Sequence, residues 1–290
     1  MYRTALSALA LSTFLSFSPQ LDAQQVGPSN GSLVIVGGAM SDTGIMGHFL
    51  DLAGGPDASI VVIPTAGGDD EYDQFYQGLN SWRDVGATHL TVLHTKDRAE
   101  ANSDAFVKAI REANGVWFPG GRQWRLADSY LGTKTEEELW NLLERGGVIG
   151  GSSAGATIQG SYLARGDTRT NTIMMGDHEE GFGFLRNTAI DQHVLRRNRQ
   201  FDLIEIIRAR PELLGIGIDE NTAIVVQGDE FEVIGQSYVL IYDNQSVVGD
   251  SGLFYFLSPG DQFDLATREA RRPSRSLQPV GVTQPRRWPR

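Results

Sequence analysis

The chain has 290 residues, a formal net charge of −11 and no cysteine, which excludes disulfides, thiolate metal ligands and a cysteine nucleophile. The arginines that follow Glu269 leave about −17 on residues 24–269, a field that repels nucleic acid and anionic lipid and attracts cationic ligands. A chain of this length buries a sizeable core without covalent staples.

Residues 1–23 carry a single arginine, Arg3, then an apolar run from Ala5 to Phe17 and a small-residue site ending at Ala23. That order is the grammar of a secretory signal peptide. The apolar run is about a dozen residues, short of the roughly 20 that cross a bilayer. The expectation is a cleaved leader, a mature chain beginning near Gln24, export to the periplasm or the extracellular space, and no membrane association after cleavage. Export without disulfides fits a bacterial envelope.

From Ser32 onward apolar strand-like runs alternate with helical patterns. The strands are expected in SLVIVGG (32–38), ASIVVIPTA (58–66), HLTVLHT (89–95), GVWFPGG (115–121) and GGVIGGSSAGA (146–156). The intervening helices are expected over 43–52, 71–85, 103–112 and a region ending at Glu144, with a further helix in ATIQGSYLA (156–164). Short strands that are apolar on both faces and separated by helices imply a parallel sheet covered on both sides. After Leu213 the texture changes to LLGIGIDENTAIVVQGDEFEVIGQSYVLIYD, with a turn at Gln227-Gly228-Asp229, which reads as antiparallel strands added to the same core. The expected fold is therefore α/β, a three-layer sandwich with a mostly parallel central sheet and antiparallel C-terminal strands. It forms one domain over 24–269, followed by a disordered basic tail at 270–290.

Gly151-Ser152-Ser153-Ala154-Gly155 lies between an expected strand and an expected helix. A serine on so tight a turn needs small neighbours, and the geometry exposes its hydroxyl at the carboxyl edge of the sheet beside a helix N-terminus. A glycine-rich turn of this kind also binds phosphate or simply packs closely. Ser153 sits at the elbow, and Ser152 is the rival hydroxyl in a supporting place. A serine nucleophile needs a base, and only His178 and His193 follow it. The usual α/β-hydrolase order places the base late, after the acid, and no histidine lies beyond His193.

Four blocks in order, FPGGRQ (118–123), GGSSAGA (150–156), DQH with RNR (191–199) and GIGIDENTA (215–223), resemble the cyanophycinase and peptidase E family of serine peptidases. The fold implied is similar to the class I glutamine amidotransferases, a flavodoxin-like arrangement, although the cysteine that those enzymes use is lacking. The resemblance implies Ser153 as nucleophile, His193 as general base and Glu220 as the residue that orients the imidazole. Gly121 and Ala154 would supply the backbone N–H groups of the oxyanion hole. Gln123, Asp191, Gln192, Arg197 and Arg199 would grip a β-linked aspartyl-arginine unit, carboxylate and amide groups meeting the guanidinium and arginine forks meeting the free carboxylates.

The chemistry so implied is serine-type exopeptidase hydrolysis of cyanophycin through an acyl-enzyme, with no metal and no organic cofactor. The alternatives are an aspartyl or isoaspartyl dipeptidase of the peptidase E type and an exported binding protein without turnover. The partner is a peptide or cyanophycin-like substrate, and the sequence allows a homodimer. Two positions depart from the family pattern: Arg122, where an acidic residue is usual, and Asp202, where a third pocket arginine would fall.

Overall fold

A computed structural model describes residues 25–41, 43–244 and 253–273. The leader expected at 1–23 and residues 274–290 of the expected tail lie outside the described residues.

Five strands form the parallel heart of the molecule: β1 (Ser32–Val36), β2 (Ser59–Val62), β3 (His89–Val92), β4 (Gly115–Phe118) and β5 (Val148–Ser152). They lie in the order β1-β5-β4-β2-β3. All residues of β1, β4 and β5 are buried, as a sheet covered on both faces requires. β9 (Thr222–Gln227), β10 (Glu230–Gly235), β13 (Gln262–Asp264) and β14 (Glu269–Arg271) extend it antiparallel beyond β1 into a nine-stranded sheet.

On one face α1 (Gly44–Leu52) and α2 (Asn80–Asp84) bring Phe49 and Trp82 against Trp117, the three rings meeting edge to face with centroids 5.2 Å apart. Such contacts add specificity to ordinary apolar burial. The other face is covered by α3 (Arg98–Ala101), α4 (Asp104–Glu112), α5 (Gln123–Tyr130), α6 (Lys134–Glu144) and the single turn α7 (Ala154–Thr157). In α4 the Ser103 side chain accepts the N–H of Phe106 and caps the helix, while Phe106, Val107 and Ile110 turn into the core, the spacing of one helical face.

A second, five-stranded sheet packs against this core. It holds β6 (Gly160–Tyr162), β7 (Leu185–Gln192), β8 (Leu214–Ile218), β11 (Val239–Asp243) and β12 (Tyr255–Leu257), in the order β12-β11-β8-β7-β6. Ile190, Ile216 and Ile241 of this sheet share the main core with Leu33 and Ile35 of β1. Its far face is covered by α8 (Leu203–Ala209), whose Leu203 and Ile206 meet Leu240 and Tyr242.

The α/β sandwich, its parallel centre and the antiparallel C-terminal strands form as expected. Four local expectations do not. The helix read over 71–85 is reduced to a 3-10 turn at Gln77–Leu79 and α2, because residues 69–75 are mostly exposed and present no apolar face. The helix read over 156–164 ends after Thr157, and Gly160–Tyr162 becomes a strand beside β7. The late strands are not all antiparallel, since β8 pairs in parallel with β7 at the centre of the second sheet. Finally, Ala270 and Arg271, which were expected to open the tail, complete β14 against β13. Among the described residues no helix is long and apolar enough to cross a membrane.

Candidate active site

β5 delivers Ser152 and Ser153 to the carboxyl edge of the parallel sheet. Ser153 takes φ 58° and ψ −111°, a left-handed conformation that costs a non-glycine residue strain and recurs at functional turns. The turn lifts its Oγ away from the strand, while Ser152 stays in register with Val36 as the last residue of β5.

The Oγ of Ser153 lies 2.9 Å from Nε2 of His193, and Nδ1 of His193 lies 2.6 Å from Oε1 of Glu220. The carboxylate accepts the Nδ1 proton, which leaves Nε2 as the acceptor for the serine hydroxyl. Burial lowers the pKa of His193 below its usual value of 6.5, with Arg197 and Arg199 acting in the same direction and the Glu220 hydrogen bond opposing them. A neutral ring is the form that can take a proton.

One short segment after β1 holds these three residues together. The carbonyl of Val36 accepts the N–H of Ser153 at 3.0 Å, that of Gly37 accepts the N–H of His193 at 2.9 Å, and that of Gly38 accepts the N–H of Asn221, next to Glu220, at 2.9 Å. Three successive carbonyls thus fix the backbones that carry the hydroxyl, the imidazole and the carboxylate. His193 itself has φ 56° and Asn221 φ 54°, so each of these side chains leaves its strand at a sharp bend.

The N–H groups of Gly121 and Ala154 have no acceptor among the described residues, as an oxyanion hole requires of its donors. Ala154 opens α7. Gly121 has φ 147°, and a Cβ there would overlap the carbonyl of Ala66, so the turn accepts only glycine. The neighbouring Gly120 lies under Ser153, its virtual Cβ 3.7 Å from Oγ. A hydroxyl, a neutral base with its orienting carboxylate, and two free N–H groups together can attack a carbonyl carbon and hold the resulting oxyanion.

The five residues expected to line the substrate pocket separate into two groups. Arg197 is exposed and Arg199 half-buried, and both act electrostatically on His193. Gln192 is buried next to His193, with Oε1 a long 3.4 Å from Nη1 of Arg199. Gln123 and Asp191 are engaged inside the protein. Nε2 of Gln123 donates to the carbonyls of Ala164 and Arg165 at 2.7 and 3.0 Å. Asp191 is fully buried, and its two oxygens meet Nε and Nη2 of Arg165 at 2.7 and 2.9 Å.

Sequence reasoning missed Arg165. The one local signal was a charged residue inside an otherwise apolar run, YLARG. Asp202 is not a surface accident either, since its Oδ2 lies 2.5 Å from Nη2 of the same guanidinium. Arg122 donates from Nη2 to the carbonyl of Asp167 at 2.5 Å. His178, the other histidine after Ser153, is elsewhere, between Asp128 at 2.7 Å and Asp177 at 3.1 Å.

Comparison with known proteins gives the family of the chain. The model of peptidase family S51 matches residues 33–234. A cyanophycinase of Geminocystis herdmanii (strain PCC 6308) is 32% identical over 225 residues, covering 74% of this chain and 82% of its own. A cyanophycinase of Synechococcus elongatus is 28% identical over 295 residues, covering 91% and 90%. Among solved structures, a peptidase from an acI-B1 Actinobacterium aligns with TM-score 0.61 at 23% identity, over 82% of this chain and 98% of that one. A putative peptidase E protein from Listeria monocytogenes EGD-e aligns with TM-score 0.53 at 17% identity, over 71% and 99%. The two solved structures are alike in fold.

Proposed function

The chain belongs to peptidase family S51, and from that membership we propose that it cleaves an amide bond through an acyl-enzyme on Ser153. His193 takes the hydroxyl proton as Oγ attacks the carbonyl carbon, and Glu220 holds the ring and stabilises the imidazolium. The N–H groups of Gly121 and Ala154 receive the oxyanion, each such donor being worth about 2.7 to 4 kcal/mol in comparable enzymes. His193 then gives its proton to the leaving amine, and water releases the acid product by the same steps in reverse order. The observation that carries the reading is the unbroken line from Ser153 through His193 to Glu220, at 2.9 and 2.6 Å.

For the substrate we propose cyanophycin, cut to β-aspartyl-arginine dipeptides, on the strength of the cyanophycinases that resemble this chain over most of its length. The leader read at residues 1–23 would place that activity outside the cytoplasm. A second reading, an aspartyl or isoaspartyl dipeptidase, is favoured by one observation: Asp191, the carboxylate expected to meet a substrate guanidinium, is already paired with Arg165. Digestion of purified polymer, with the products separated by mass, tests the proposal. Release of β-aspartyl-arginine supports it. An intact polymer alongside cleaved β-aspartyl dipeptides selects the second reading.

A further inference from the structure

Arg165 is 1% exposed and lies between two carboxylates, Asp191 at 0% and Asp202 at 38% exposure. Its third contact is from Nη1 to the carbonyl of Asn171 at 2.9 Å, and Gln123 fixes its own carbonyl. Four of the five N–H donors of this buried guanidinium are thus engaged, three of them by carboxylates. Asp191, with both oxygens engaged and no exposure, is therefore withdrawn from any ligand, while Asp202 has one oxygen tied to Arg165 and stays 38% exposed.

Two cations, Arg197 and Arg199, act on His193 alongside Glu220. Among the described residues neither Arg197 nor Arg199 forms a direct salt bridge with a carboxylate, and the side-chain hydrogen bond of Arg199 is the long one to Gln192. Arg199 is half-buried, and burial lowers its pKa, as do Arg165 and Arg197, with Asp191 and Asp202 opposing them. Asp191 and Asp202 act on Arg199 only at a distance, so a half-buried guanidinium with no carboxylate in direct contact can still take an incoming one through a forked, charge-assisted contact.

We infer that Arg165 determines specificity: by burying Asp191 in an ion pair and tying one oxygen of Asp202 it weakens the site for a cationic substrate group and leaves Arg197 and Arg199 to read a carboxylate beside the scissile bond. This rests on the reading of Ser153, His193 and Glu220 as the reacting group. The carboxylate is the free one of an aspartyl residue, the α-carboxylate in a β-linked peptide or the side chain in an α-linked one.

Binding to Ser153→Ala, measured by calorimetry, tests the inference without turnover. The ligands are β-aspartyl-leucine, α-aspartyl-leucine, β-aspartyl-leucine with its aspartyl α-carboxylate amidated, and β-aspartyl-arginine, with hydrolysis of all four followed on wild type in parallel. Amidation is expected to weaken binding by about tenfold or more, a penalty that Arg199→Gln removes, while arginine in place of leucine changes affinity by less than about threefold. The stronger of the two leucyl ligands identifies which carboxylate is read. Arg165→Gln frees both acids and is expected to raise affinity for the arginyl peptide by about tenfold, whereas Arg165→Lys does not. Should Arg165→Gln fail to fold, the leucyl and arginyl comparison on Ser153→Ala still decides.

An arginyl advantage above about tenfold that vanishes in Asp202→Asn overturns the inference, as does binding indifferent to amidation. Carboxylate-dependent binding without hydrolysis on wild type supports it and contradicts instead the proposed reaction.

Discussion

Gly38 presents a bare α-carbon to the ring of His193, so close that a Cβ there would overlap the imidazole. Its φ of 127° is also one that side chains rarely adopt. Gly38→Ala is therefore expected to displace the ring from Ser153 and to lower kcat by about a hundredfold, the usual cost of a misplaced catalytic group. Steady-state kinetics with circular dichroism as a check on folding measures this. Near-normal kcat in a folded variant would mean that the segment after β1 yields without moving His193.

His193→Ala and Glu220→Gln should both depress kcat, the first more severely, because some orientation of the ring survives loss of the carboxylate. His178→Ala should leave kcat near wild type, since His178 is held by Asp128 and Asp177 away from Ser153. A larger loss in His178→Ala than in His193→Ala would reverse the assignment of the base.

The pKa of His193 is lowered by burial and by the two arginines, so the active neutral ring persists into mildly acid solution. Activity is lost as pH falls through that pKa, and the acid limb of the kcat/KM profile is expected below pH 6.5, the ordinary imidazole value. Removing a cation in Arg199→Gln should move the limb up, and removing the carboxylate in Glu220→Gln should move it down. A limb above the ordinary value in wild type would contradict this balance of burial and charge.

Asp191 and Arg165 form a fully buried ion pair, and removal of Asp191 takes two hydrogen bonds from the guanidinium and leaves it only the partly exposed Asp202 as a counter-charge. Asp191→Ala is expected to cost about 3 to 5 kcal/mol of stability, read from denaturant unfolding. Asp202→Asn should cost less, because Asp202 remains 38% exposed and water screens its side of the pair. Equal losses would mean that the two carboxylates share Arg165 evenly.

The parallel centre of the fold was legible because β1, β2, β4 and β5 are largely apolar on both faces and bounded by glycine or polar turns, the edge strand β3 being the partly exposed exception. The elbow was legible for a related reason: Gly151, Ala154 and Gly155 leave room only for a tight turn. β7 was not, since NTAIDQ mixes polar and apolar residues, and its burial arises from β6 and β8 on either side. Nor was the second sheet, which depends on whether β8 pairs with β7 or with β9, a choice made by long-range packing. His193 and Glu220 emerged from resemblance and not from pattern, because their approach to Ser153 depends on the carbonyls of residues 36–38. Arg165 lies 26 residues before Asp191, and nothing local announces that a lone charge in an apolar run will find two acids.

The most direct test of the account is covalent. A fluorophosphonate should react once per chain, and peptide mapping by mass spectrometry should place the adduct on Ser153. Ser153→Ala should abolish labelling, and His193→Ala should slow it because the hydroxyl loses its base. An adduct on Ser152, or labelling that survives Ser153→Ala, would contradict the central claim.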